Sequence, residues 1–168
     1  MSQKNFSAIC HQYALDVDAG KISACLYVKQ AVKRYLNDLE KIDWQWHFDK
    51  SKVDHVCRFI ELLPHTQGKW ATARQKIVVE PFQIFIVANI FGWVDVNGRR
   101  RYRYAYVEMP RKNGKSTLLA AVGLYCAFIE GEQGAQVYSA ATTRDQARIV
   151  WEEAQRMVNR LPKLQSAF

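Results

Sequence analysis

Apolar residues recur at helical spacing through the first part of the chain. Ile22, Leu26, Val32, Tyr35, Leu36 and Leu39 form one such series, with Lys29, Lys33, Arg34 and Asp38 between them. A second helix is expected from about Asp49–Ser51, carrying Val53, Val56, Phe59, Ile60 and Leu63 and ending at Pro64, with Gly68 shortly after. Residues 1–70 therefore read as a helical segment with core-facing stripes and little catalytic character. From Trp70 the pattern changes. Lys76–Glu80 is a short β-like run, and Pro81 suits the first position of a helix over Phe82–Phe91, stopped by Gly92. Asp95-Val96-Asn97-Gly98 predicts a hairpin turn leading into a strand over Tyr102–Met109. A helix over Leu118–Ile129, a turn at Glu130–Gly134, a strand at Ala135–Ala140 and an amphipathic helix over Thr143–Arg160 complete the pattern. Its apolar face is Ala147, Val150, Ala154, Met157, Val158 and Leu161. This order predicts an α/β class with parallel strands joined by right-handed crossovers.

Between the predicted strand and helix lies Pro110-Arg111-Lys112-Asn113-Gly114-Lys115-Ser116-Thr117. A strand that delivers the chain to a tight turn, with a helix behind it, aims free N–H groups at an anion. Gly114 lets the backbone come close to phosphate oxygens, Lys115 can reach the β- and γ-phosphates, and the Ser116 hydroxyl can ligate Mg²⁺. The usual phosphate loop opens with a glycine whose place Met109 takes here. The competing reading is a helix start with a lysine in its first turn.

The 168 residues suit one domain with a small appendage, and 49% hydrophobic and 12% aromatic residues are enough for a core. A net charge of +8 suits a polyanionic partner. Much of the excess sits in Arg99, Arg100, Arg101, Arg103, Arg111, Lys112 and Lys115. The arginine run fits either a solvated hairpin arm or a contact to phosphate backbone. Cys10, Cys25, Cys57 and Cys126 show no metal or disulfide spacing and read as reduced core thiols of a cytoplasmic protein. His11, His47, His55 and His65 are scattered and read as surface or packing residues. No apolar run reaches membrane-spanning length, and no membrane association is expected.

Arg111-Lys112-Asn113-Gly114-Lys115-Ser116 resembles the variant phosphate loop of large terminase subunits, the DNA-packaging ATPases of tailed bacteriophages and prophages. Gly20-Lys21-Ile22, Ala31-Val32-Lys33-Arg34, Asp38-Leu39, Glu80-Pro81-Phe82-Gln83, Phe91-Gly92-Trp93 and Val137–Ala147 fall in that family's order. The missing first glycine is also a habit of that family. The resemblance implies an incomplete parallel sheet of a P-loop NTPase of the ASCE type, preceded by the helical segment. It implies ATP and Mg²⁺ as cofactors, and double-stranded DNA, a small terminase subunit and a portal protein as partners of a homo-oligomeric motor. By matching position, Arg111 and Lys115 take catalytic roles. Lys112, Asn113, Gly114, Ser116 and Thr117 join them in holding the nucleotide, with Ser116 on the metal. Gln83 matches the glutamine that meets adenine, since a carboxamide offers both a donor and an acceptor. Thr143, Arg144 and Gln146 fit either a coupling segment between nucleotide and DNA or an ordinary helix cap.

An ATPase of this class needs an apolar strand ending in an acidic pair. Ile149-Val150-Trp151-Glu152-Glu153 is the one approximation after the loop, and it lies inside a helical period. The expectation is that residues 71–168 are the first half of an ATPase domain, without its acidic-pair strand or a nuclease domain. Weak nucleotide binding without turnover would follow. The alternatives are a non-catalytic remnant or interaction module acting through the helical N-terminus, and part of another, helicase-like P-loop ATPase.

Overall fold

The computed structural model describes residues 4–161. They form two compact units that interleave along the chain. One comprises residues 4–57 with Val79–Tyr106, the other Arg58–Val78 with residues 107–161.

In the first unit, α1 (Phe6–Asp18) packs on α2 (Leu26–Leu39) and on α5 (Pro81–Gly92). Phe6, Cys10, Ala14 and Val17 give α1 one buried stripe at helical spacing. Its start is secured twice. The Asn5 side chain accepts the Ala8 N–H at 2.9 Å, and Asp54, on α3 (Lys50–Leu62), accepts the N–H groups of Phe6 and Ser7 at 2.9 and 3.0 Å. Asp49 caps α3 itself, accepting from the amides of Ser51 and Lys52. On α2 the buried positions are Val32, Tyr35 and Asp38, whereas Leu26 and Leu39 of the expected stripe face solvent. α5 starts at Pro81, as its punctuation predicts, and runs through the expected stop at Gly92 to a C-cap at Trp93. Glu80 and Gln83 form a capping box, in which Gln83 Oε1 accepts the Glu80 N–H at 3.1 Å.

Among the described residues the one sheet has two strands: β1 (His47–Phe48) runs antiparallel to β2 (Trp93–Val94). Tyr35, Phe48, Phe85 and Trp93 meet here in edge-on contacts at 5.2–5.6 Å for three of their ring pairs. Gly92 is needed for this junction. A β-carbon there would lie 2.7 Å from both Phe48 Cε2 and Val53 Cγ2. The Asp95–Gly98 turn forms as expected, with the Gly98 N–H donating to Asp95 O at 2.9 Å. The ladder beyond it is short and ends with the Arg101 N–H on Trp93 O.

The second unit holds α4 (Gly68–Thr72), α6 (Lys115–Phe128) and α7 (Arg144–Asn159), with α6 packed on α7. Its core includes Phe59, Ile60, Leu63, Ile77, Leu118, Ala121, Leu124, Tyr125, Met157 and Val158. Leu161 of the expected α7 face is half-buried.

Three strand expectations are corrected. Tyr102–Met109, Ala135–Ala140 and Lys76–Glu80 contain no ladder strand, and only an isolated bridge joins Lys76 to Pro64. The first two segments run on either side of α6 in sequence with their side chains largely in solvent, Tyr104 being 93% and Tyr138 83% exposed. β-rich composition predisposes a segment to pair, but a strand exists only with a partner. The architecture is therefore mixed and mainly helical, with one small antiparallel sheet.

The cysteines also divide. Cys10 and Cys57 are buried, Cys126 is half-buried and Cys25 is exposed at the start of α2. Burial pushes the Cys10 thiol up to about 12, with a hydrogen bond to Tyr35 opposing that rise. The arginine run likewise splits. Arg99 and Arg103 are exposed, but Arg101 is tied to the buried Asp38 at 2.6 Å and lies over Trp44, while Arg100 lies over Phe91. No helix of the described residues is long and apolar enough to cross a membrane.

Candidate functional site

The chain reaches α6 through a tight exposed bend. Lys112 and Gly114 both take left-handed backbone, with φ of 70° and 72°. That conformation costs a lysine roughly 1–2 kcal/mol and glycine almost nothing. The Asn113 side chain closes the bend, its Nδ2 donating to Pro110 O at 3.3 Å and reaching Arg111 O at 3.5 Å. Gly114 is the N-cap of α6 and has no side chain with which to cap it. Its carbonyl accepts the Leu118 N–H at 2.8 Å, so helical bonding starts there. The amides of the first turn have no partner within the helix and point outward, at the positive end of the helix dipole.

Arg111, Lys112, Asn113, Gly114 and Lys115 are exposed, and Ser116 and Thr117 are half-buried. Among the described residues no carboxylate pairs with Arg111, Lys112 or Lys115. A crown of amides with three unpaired cations is complementary to a phosphate chain. Ser116 presents a hydroxyl in the first helical turn. One protein oxygen suits Mg²⁺, which keeps several waters and takes its other ligands from phosphates. No cluster of three or more His, Cys, Asp or Glu side chains that could hold a metal occurs among the described residues.

Thr117 turns the other way. Its hydroxyl donates to Glu153 Oε1 at 3.4 Å. Glu153 is 3% exposed, and its Oε1 also accepts from Thr66 Oγ1 at 2.5 Å. Its Oε2 accepts from Gln67 Nε2 at 2.9 Å and from Arg156 Nη2 at 3.0 Å. Burial pushes this carboxyl upward, but the bonds from Thr66, Arg156 and Gln67 outweigh it and hold the group below the usual glutamate range. Glu152 and Glu153 lie within α7, as the helical period requires, and are not the acidic end of a strand. Glu152 faces Arg148 at 3.0 Å.

The remaining expected residues fall in two places. Thr143 is the N-cap of α7, accepting from the Gln146 N–H at 3.3 Å, and Thr142 Oγ1 donates to Gln146 Oε1 at 2.9 Å. Thr143 is therefore the cap, with the Thr142–Gln146 side-chain pair beside it. Gln83 belongs to the first unit, at the start of α5. What sequence reasoning missed is Glu153. The signal was available, since a glutamate that falls three residues after Val150 and four before Met157 sits within an apolar stripe.

A glycine-capped helix with Lys and Ser in its first turn is the geometry of proteins that grip nucleotide phosphates. The model of one such family, the terminase large subunit ATPase domain, matches residues 81–167, and the chain belongs to that family. It is also similar to the "Terminase, large subunit" of Enterobacteria phage HK97, 44% identical over 119 residues. That match takes in 68% of this chain and spans 22% of the relative's length. No solved structure matches the chain.

Proposed function

We propose that the Pro110–Thr117 loop binds ATP with Mg²⁺, and that in the complete protein its hydrolysis drives double-stranded viral DNA into a preformed capsid. The observation that carries this is the left-handed Gly114 opening α6, with Lys115 exposed beside it. Family membership supports the same reading.

In this reading the amides from Lys112 to Thr117 wrap the phosphates. Lys115 neutralises the β- and γ-phosphates, and Arg111 meets the terminal phosphate with a planar fork that suits two oxygens at once. Ser116 holds the metal. Mg²⁺, when bound, spreads the charge that builds on the phosphates. The flanking segments 102–109 and 135–140 are those a parallel P-loop sheet would recruit, and the family match from residue 81 supports an ATPase segment over 71–168 behind a helical 1–70. A small terminase subunit, the portal and further copies of the large subunit complete the motor.

Calorimetric titration of the 168-residue chain with ATP and Mg²⁺ tests the reading. Saturable binding is expected. Lys115→Ala should weaken it about ten- to a hundredfold, the value of one charge-assisted contact, with an unchanged circular dichroism spectrum. Binding that ignores the substitution would overturn the assignment.

A further inference from the structure

We infer that Glu153 is a positioning residue for the phosphate loop, acting through the Thr117 hydroxyl. The inference rests on the nucleotide reading given above.

Glu153 accepts four donors from three separate stretches of chain: Thr66 and Gln67 ahead of α4, Thr117 in the first turn of α6, and Arg156 on its own helix. All four belong to one compact unit. A buried carboxylate whose lone pairs are this fully engaged is fixed in place, because moving it would strand a charge away from water. It is therefore a rigid reference point. Thr117 is two residues from Lys115 and one from Ser116, and its hydroxyl reaches that reference point. The bond fixes the rotation of the first helical turn, and with it the direction in which Lys115 and Ser116 project. Thr66 at 2.5 Å and Gln67 at 2.9 Å hold the carboxylate tightly, whereas Thr117 at 3.4 Å holds it loosely. None of this requires the Thr117 side chain to touch the nucleotide.

The test is a double-mutant cycle read as ATP·Mg²⁺ affinity of the whole 168-residue chain, at a temperature where circular dichroism shows each variant folded. Thr117→Val should weaken binding about fivefold, as expected for loss of one hydrogen bond. Glu153→Ala should weaken it at least as much, and Glu153→Gln, which keeps an acceptor oxygen for the hydroxyl, should recover most of the loss. In the Glu153→Ala background, Thr117→Val should add nothing. If Glu153→Ala does not fold, the same cycle with Glu153→Leu, which fills more of the site but offers no acceptor oxygen, carries the decision, and Thr117→Val should again add nothing. Wild-type affinity in Thr117→Val, or losses at the two positions that simply multiply, would overturn the inference. A purely structural Glu153 would lower the melting temperature and leave affinity alone. Absence of binding in the wild type, or binding indifferent to Lys115→Ala, would instead overturn the functional reading and this inference with it.

Discussion

Asp38 and Glu153 are acids held in the interior by cations and hydroxyls. Burial raises the Asp38 carboxyl, but hydrogen bonds from Lys41 and Arg101, each at 2.6 Å, more than compensate, so it too lies below the usual range. Both groups bind protons less readily folded than unfolded. Their contribution to stability is therefore complete above the unfolded carboxylate range and is lost as pH falls through the folded values. Urea midpoints should hold steady from neutral pH to about 5 and fall steeply below about 4, with a shallower fall in Asp38→Asn. A midpoint that does not change down to pH 3 would contradict this. At this scale the sequence was partly legible. Gly114, Lys115 and Ser116 declare themselves because their chemistry is local. The partners of Asp38 and Glu153 do not, since Arg101 lies 63 residues from the first and Thr66 lies 87 from the second.

Helices were the readable elements because each carries its own period and punctuation. α3, α5, α6 and α7 lie close to the predicted spans, and Pro81 opens its helix as expected. Strands depend on partners elsewhere, so β1 gave no signal, while β-rich Tyr102–Met109 forms no ladder. Two substitutions test element junctions. Asp54→Ala strips the Phe6 and Ser7 amides of their acceptor and should cost about 1–2 kcal/mol by equilibrium unfolding, the range of a lost helix cap. Gly92→Ala forces a methyl against Phe48 and Val53 and should cost about 1–3 kcal/mol. A neutral result there would mean that the Phe48 ring and Val53 yield more easily than their packing suggests.

For the molecule as a whole, +8 charge and segments outside any ladder that carry exposed tyrosines weigh against high stability. We expect a thermal midpoint below about 60 °C, the upper end for ordinary mesophile domains; a cooperative transition above it, followed by circular dichroism, would refute this. Tyr104 and Tyr106 on one ribbon, and Val137 and Tyr138 on another, have a further consequence. Ribbons of this composition outside any sheet are templates for sister chains. Concentrated solutions should therefore cloud with time, bind amyloid-sensitive dye, and clear more slowly the longer they stand.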